Sequence, residues 1–260
     1  MLPLAVGLGA CAPSGSERGD LFVAYQAQMQ ERGFLRTDRN PDDASYSNAR
    51  LAENFRRIAF FTFPNDAMHV PKPLTRWQGP IRYAVLGTEK DQEQVDRLMA
   101  RIARLTGLEI GNTPEAEANF VILLLDERER RAARHAFPDD ESRAFFDSFL
   151  SAIFDCGAVA DWTDEDPEIT RALVYLHGDL QGLYRRLCFQ EEITQSFGLF
   201  NDDPTVRPSI FNDDDEFALL TRHDEYLLRI LYDPRLEVGM TEEEAMPVVH
   251  RIIRELRPTG

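Results

Sequence analysis

The sequence predicts an α+β fold, and three observations carry that expectation. Strand-like and helix-like segments alternate between residues 77 and 198. A helical extension precedes them, and a loop-rich stretch with two further helices follows. Hydrophobic residues make up 43% of the chain, enough for a packed core.

Residues 20–32 read as a helix, with Leu21, Tyr25 and Met29 spaced four apart and Gly33 at its end. A second helix starts at Ser47 or Asn48 and carries Leu51, Phe55 and Ile58 on one stripe. The Pro-rich stretch from Pro64 to Pro73 separates this extension from the rest. Ile81–Leu86 alternates like a strand and stops at Gly87. Thr88 caps a helix to Thr106 with Val95, Leu98, Met99, Ile102 and Leu105 inward and Gly107 as stop. Residues 108–110 and 119–125 read as strands, the second apolar throughout and therefore central. An amphipathic helix is expected over 139–154, a strand over 170–177 and a long helix over 180–197. The last two helices are expected at 221–232 and 241–256.

The formal charge of −16 disfavours nucleic acid and anionic lipid surfaces as partners. Residues 2–10 are apolar and small, too few to span a bilayer but the length of a signal-peptide core. Leu8-Gly9-Ala10-Cys11 resembles a bacterial lipobox, although no Lys or Arg precedes the run. That resemblance implies cleavage before Cys11, acylation of Cys11, and a membrane partner through the lipid. Ala12 in second place resembles outer-membrane sorting, so the expected location is the cell envelope, at the outer membrane facing the periplasm. With Cys11 lipidated, Cys156 and Cys188 remain as an even pair in an oxidising compartment, and a disulfide between them is expected. The expected division is a signal peptide over 1–10, tether and helical extension over 11–73, and a main domain over 74–260, with lobes 74–198 and 199–260. Residues 12–19 read as the tether.

The long helix contains Glu191-Glu192-x-x-Gln195-x-x-Gly198-x-x-Asn201. Glu191 and Gln195 lie one turn apart on one face. The spacing resembles the zinc motif of the metzincin metallopeptidases, H-E-x-x-H-x-x-G-x-x-H. Ser209-Ile210-Phe211 resembles the metzincin Met-turn, with Phe211 at the methionine. Leu220-Thr221-x-x-Asp224 with Leu231-Tyr232 resembles the C-terminal helix of the same proteins. The resemblance spans about residues 77–235 and implies a zincin-like mixed sheet with an active-site helix. It places Glu191, Gln195 and Asn201 at the ligand positions, Glu192 at the general base, and Gly198 at the turn toward the third ligand. Asp202 is a neighbouring carboxylate. Residues 170–177 would be the cleft-rim strand that pairs with an extended peptide.

All three imidazoles are replaced. One carboxylate and two amides suit zinc poorly, since a catalytic zinc takes nitrogen or sulfur donors with one open position. No cofactor is expected, and the sequence reads as a degenerate, non-catalytic module for an extended peptide or an envelope protein. The alternative is a peptidase or other hydrolase using zinc or another divalent cation, with Glu192 as base. Glycosidase-like acid–base chemistry would need a second carboxylate across the cleft, from Asp202 or Asp213. The five histidines are scattered. A Cys188–His177 nucleophilic pair competes with the disulfide, which is the stronger reading.

Overall fold

The computed structural model describes residues 15–62, 70–126 and 155–258, with isolated residues between 127 and 154. Its centre is a five-stranded mixed sheet in the order β4-β3-β5-β7-β6. The strands are β3 (Ile81–Leu86), β4 (Ile110–Asn112), β5 (Phe120–Leu125), β6 (Cys156–Asp161) and β7 (Arg171–His177). Four run parallel, and β6 lies antiparallel to β7 at one edge. A short ladder of β1 (Phe61–Thr62) and β2 (Val70–Pro71) stands apart from this sheet. The helices are α1 (Gly15–Glu31), α2 (Asn48–Ala59), α3 (Glu89–Thr106), α4 (Gly182–Gln195), α5 (Arg222–Leu231) and α6 (Glu242–Leu256).

Local chemistry explains most boundaries. Ser47 accepts the N–H of Arg50 and starts α2, whose Leu51, Phe55 and Ile58 are fully buried. Reciprocal capping boxes open α3 at Thr88 and Asp91, α5 at Thr221 and Asp224, and α6 at Thr241 and Glu244. Gly107 closes α3 in the left-handed region. In β5, Phe120, Ile122 and Leu124 are buried and the alternate residues only half so. This strand lies between β3 and β7, as its apolar run predicts.

Several expectations need correction. The first helix begins at Gly15, so residues 15–19 of the expected tether are helical. It buries Phe22 and Met29, while Leu21 is 53% and Tyr25 37% exposed. Both placements put Met29 inside, but packing selects the face rotated by one residue. Strand β4 starts two residues later than expected, at Ile110, and the Ile81 N–H donates to the carbonyl of Glu109 just before it. Strand β6 was not foreseen. Its Cys-Gly-Ala-Val-Ala-Asp sequence has one β-branched residue, and partners rather than propensity make it a strand. The strand over 170–177 is present but pairs on both sides, with β5 and β6. It therefore has no free edge for a peptide, and the edge position belongs to β6. Apart from residues 140, 143 and 144, the helix expected over 139–154 lies outside the described residues, as does the lipobox with Cys11.

The N-terminal helices share one core with the rest. Residues of α1 and α2 join the cluster that runs through the sheet, α4, α5 and α6. The segment after the Pro-rich stretch is strapped to the C-terminal part. Leu74 donates to the carbonyl of Met240, and Gly239 donates to that of Leu74.

The Cys156–Cys188 disulfide joins the first residue of edge strand β6 to the middle of α4. It closes a loop with a sequence separation of 32. In the loop-entropy description, such a crosslink stabilises by about 3–4 kcal/mol. Cys156→Ser should lower the unfolding free energy by about that amount in urea titrations, and dithiothreitol should affect the wild type but not the variant.

Candidate functional site

The site is organised by the end of α4. Gly198 has φ +112°, and a Cβ there would overlap the carbonyl oxygen of Thr75 and crowd Leu231. The chain reverses at this glycine. The carbonyls that the helix end leaves open are taken by side chains. The indole of Trp77 donates to Ser196 (2.9 Å), and the hydroxyl of Tyr232 donates to Phe197 (2.9 Å). Ser196 folds its hydroxyl back on the carbonyl of Glu192 (2.8 Å).

Beyond the turn the chain returns past the helix. Gln195 Nε2 donates to both carboxylate oxygens of Asp202, each at 2.8 Å. Asn201 sends its Nδ2 to the carbonyl of Arg57 (2.9 Å). Asp203 donates its N–H to the carbonyl of Phe211 (3.0 Å), tying the returning strip to the Ser209–Phe211 turn. That turn is held by buried Asp224. Its carboxylate accepts from Ser209 Oγ (2.6 Å) and from the N–H groups of Ile210 (3.3 Å) and Thr221 (2.8 Å). Phe211 is fully buried. The structure therefore brings Glu191, Glu192, Gln195 and Asp202 together. Asn201 and Phe211 lie on the same returning strip and turn, linked through backbone contacts.

Glu192 is 8% exposed, and among the described residues neither its carboxyl nor that of Glu191 makes a hydrogen bond. Burial pushes the pKa of Glu191 well above the ordinary range, and Asp202, Glu192, Asp215 and Asp155 push it further. Burial, Asp202 and Asp155 act on Glu192 in the same direction. Asp202 is raised by burial to about 7, against a smaller lowering by the Gln195 amide. Carboxyls that crowd one another in a low-dielectric space hold protons.

Several members of this cluster escaped the sequence reading. Asp155 accepts the hydroxyl of Tyr184, and Asp215 accepts that of Tyr25. The Tyr25 and Tyr184 rings meet edge to face at 4.9 Å. Gln26 Oε1 accepts the N–H groups of Leu183 (2.6 Å) and Tyr184 (3.1 Å). So α1 lies over the start of α4 and beside the cluster. The acidic run 213–216 divides: Asp213 and Asp214 are exposed, whereas Glu216 is buried against Arg36 and Arg207. No sequence signal joins residues 25, 155, 184 and 215, because only the tertiary fold does.

On the other side of the turn, Lys72 is 5% exposed. Its Nζ sits 5.1 Å from the Phe200 ring and 5.6 Å from that of Trp162, and these two rings stack at 5.7 Å. Burial lowers its pKa to about 7. His223 is buried elsewhere, with Nε2 2.9 Å from Asn54 Nδ2. The disulfide removes Cys188 as a nucleophile.

The ligand positions do not fit zinc. Gln195 spends its NH2 group on Asp202 and Asn201 spends its NH2 on the carbonyl of Arg57, so each could offer a cation only a neutral amide oxygen, whereas a catalytic zinc takes nitrogen, sulfur or carboxylate donors. Among the described residues no group of three or more His, Cys, Asp or Glu side chains is placed to hold a metal ion.

These groups make stability depend on pH in two separate windows. Asp202 binds its proton more tightly folded (about 7) than at the ordinary 3.8, so its contribution is complete below the lower value and is lost as pH rises toward 7. Lys72 has the opposite shift, from 10.5 to about 7, so its contribution is complete above 10.5 and is lost as pH falls toward 7. Urea midpoints should therefore fall from about pH 4 to 7 and recover above it. Asp202→Asn should make only the acid limb shallower, since Glu191 and Glu192 also contribute there, and Lys72→Met should flatten only the alkaline limb.

A search of curated proteins finds no match for the chain. A family model described as Protein of unknown function (DUF2927) matches residues 48–251, from the start of α2 into α6. That span holds the sheet, the Gly198 turn and most of the carboxyl cluster, and on it the chain belongs to the DUF2927 family.

Proposed function

We propose that this chain is a lipid-anchored cell-envelope protein whose domain is a non-catalytic relative of the metzincins, acting as a binding module. One observation carries the reading. The two side chains that flank the expected metal position, Gln195 and Asp202, hydrogen-bond each other directly through both carboxylate oxygens. The pairing commits Gln195 to hold Asp202 through its NH2 group and leaves it only a neutral amide oxygen in place of an imidazole, a weak ligand for zinc.

Further support comes from topology. The antiparallel strand is at the sheet edge, the helix with Glu192 follows inner strand β7, and a glycine turn and a buried Ser-Ile-Phe turn lie beneath it. Among the described residues no strand pairs with the outer edge of β6. An extended peptide or envelope-protein segment adding to that edge needs backbone hydrogen bonds and no metal. The expected location is the outer membrane, with the domain in the periplasm, and the formal charge of −16 disfavours nucleic acid as a partner. In this reading the attachment is the lipid on Cys11, and among the described residues no helix is long and apolar enough to cross a membrane.

The raised pKa values of Glu192 and Asp202 favour one alternative, a hydrolase in which a protonated carboxyl is the acid and Glu192 the base. Protein purified without chelator separates the readings. Binding alone predicts substoichiometric zinc by mass spectrometry and no turnover of peptide or glycoside panels. Stoichiometric zinc, or turnover abolished by Glu192→Gln, would overturn it. Anchoring is tested in cells: wild type should take up labelled palmitate and sediment with membranes, and Cys11→Ser should lose both. Unchanged membrane association of Cys11→Ser rules the lipid anchor out.

A further inference from the structure

Helix α4 carries a second polar stripe. Arg186 and Gln190, one turn apart, lie about 140° around the helix from Glu191 and Gln195. They face α3 across a pocket of about 300 Å³. Helix α3 contributes Gln94, Arg97 and Arg101, with Leu98 and Leu219 as apolar lining. No carboxylate lines this pocket, although the chain carries a formal charge of −16.

Every polar group here offers a donor. Gln94 Nε2 is buried with no hydrogen-bond partner among the described residues. Gln190 uses Oε1 to accept the N–H of Leu220 (3.2 Å), which leaves its Nε2 as the free end. Arg101 reaches Glu225 (2.9 Å), but that same oxygen also takes Arg39 (2.6 Å), so one carboxylate serves two cations. Arg97 has one exposed pair, with Glu93 at 3.6 Å, a geometry that neutralises little. Arg186 has no ion pair among the described residues.

Three guanidiniums and two amide NH2 groups surround one space with fewer acceptors than donors, since Arg101 has only the shared Glu225 and the carbonyl of Leu220 (3.1 Å), and such a donor set suits an anion with several oxygens. Guanidinium forks match phosphate oxygens in pairs. We propose that the pocket between α3 and α4 binds a phosphate-class oxyanion, as a phosphate monoester or a pyrophosphate group. The phosphate belongs to a soluble metabolite or to a lipid headgroup, and the chemistry of the pocket is the same for both. The site is separate from the carboxyl cleft and does not depend on the reading of that cleft.

The test uses inorganic pyrophosphate in calorimetry and thermal melts. A parallel arm uses sedimentation with phosphatidylcholine vesicles, with and without phosphatidic acid, whose headgroup is a phosphate monoester. The variant Arg97→Gln/Arg186→Gln removes two exposed arginines that hold no core contact. Arg251→Gln/Arg254→Gln removes the same charge from exposed positions on α6. Saturable pyrophosphate binding, weakened about tenfold or more only in the pocket variant, establishes a soluble phosphate ligand. Vesicle binding that requires phosphatidic acid and is lost only in the pocket variant assigns the phosphate to a headgroup. No saturable binding in either arm, or equal loss in both variants, overturns the proposal.

Discussion

The close approach of two backbones at Gly198 is the constraint on which the rest depends. The 74–77 segment runs so near the end of α4 that only glycine fits, and it fits only with positive φ. That contact fixes where the helix stops and which way the chain leaves. Because it leaves backward, Asp202 returns beside Gln195, and Asp203 reaches the Phe211 carbonyl. Trp77 and Tyr232 then satisfy the open carbonyls on either side of the turn. The same short segment bonds Met240 and Gly239 through Leu74, so the sheet, the turn and the C-terminal helices are positioned by one stretch of chain.

The turn has an electrostatic consequence. It gathers Glu191, Glu192 and Asp202 where water is scarce, with Asp155 and Asp215 nearby. The principal groups acting on these three are other carboxyls, apart from the Gln195 amide. Neutralising charge must then come from protons. Asp155 and Asp215 are kept in place by tyrosine hydroxyls, one of them from α1, so the N-terminal helix is part of the site's wall.

Much of the fold was legible in the sequence, because it is written in local rules. Apolar spacing in α2 and α3, the Thr caps at 88, 221 and 241, and Gly107 and Gly198 each mark a boundary through short-range physics. Strand β6 was illegible because its residues prefer no strand and acquire one from β7 and the disulfide. The α1 face was misread because Phe22 and Leu21 are both apolar, and only packing against His177 and Tyr184 selects Phe22. At the site, helical spacing foretold that residues 191 and 195 share a face. It did not foretell that Asp202, one residue past the expected third ligand, would be the partner of Gln195. Nor did it reach Tyr25, Asp155, Tyr184 and Lys72, which arrive from distant parts of the chain.

The distribution of charge around α4 connects its two faces. Carboxyls lie on one side of α4, while on the other its Arg186 faces Arg97 and Arg101 of α3, an arrangement that separates charges which would otherwise cancel as surface ion pairs of little worth. Each side is then left short of counter-charge. The carboxyl side meets that shortage with protons and hydroxyl donors, which a small change in pH can alter. Its counterpart meets it only in part, since Arg101 and Arg39 share Glu225 and Gln94 has a donor unused. Guanidiniums do not release their protons at any ordinary pH, so the charge that Glu225 and Glu93 leave uncompensated calls for an anion and not for a proton. The two faces of one helix therefore answer to different ligands, a proton on one and an oxyanion on the other.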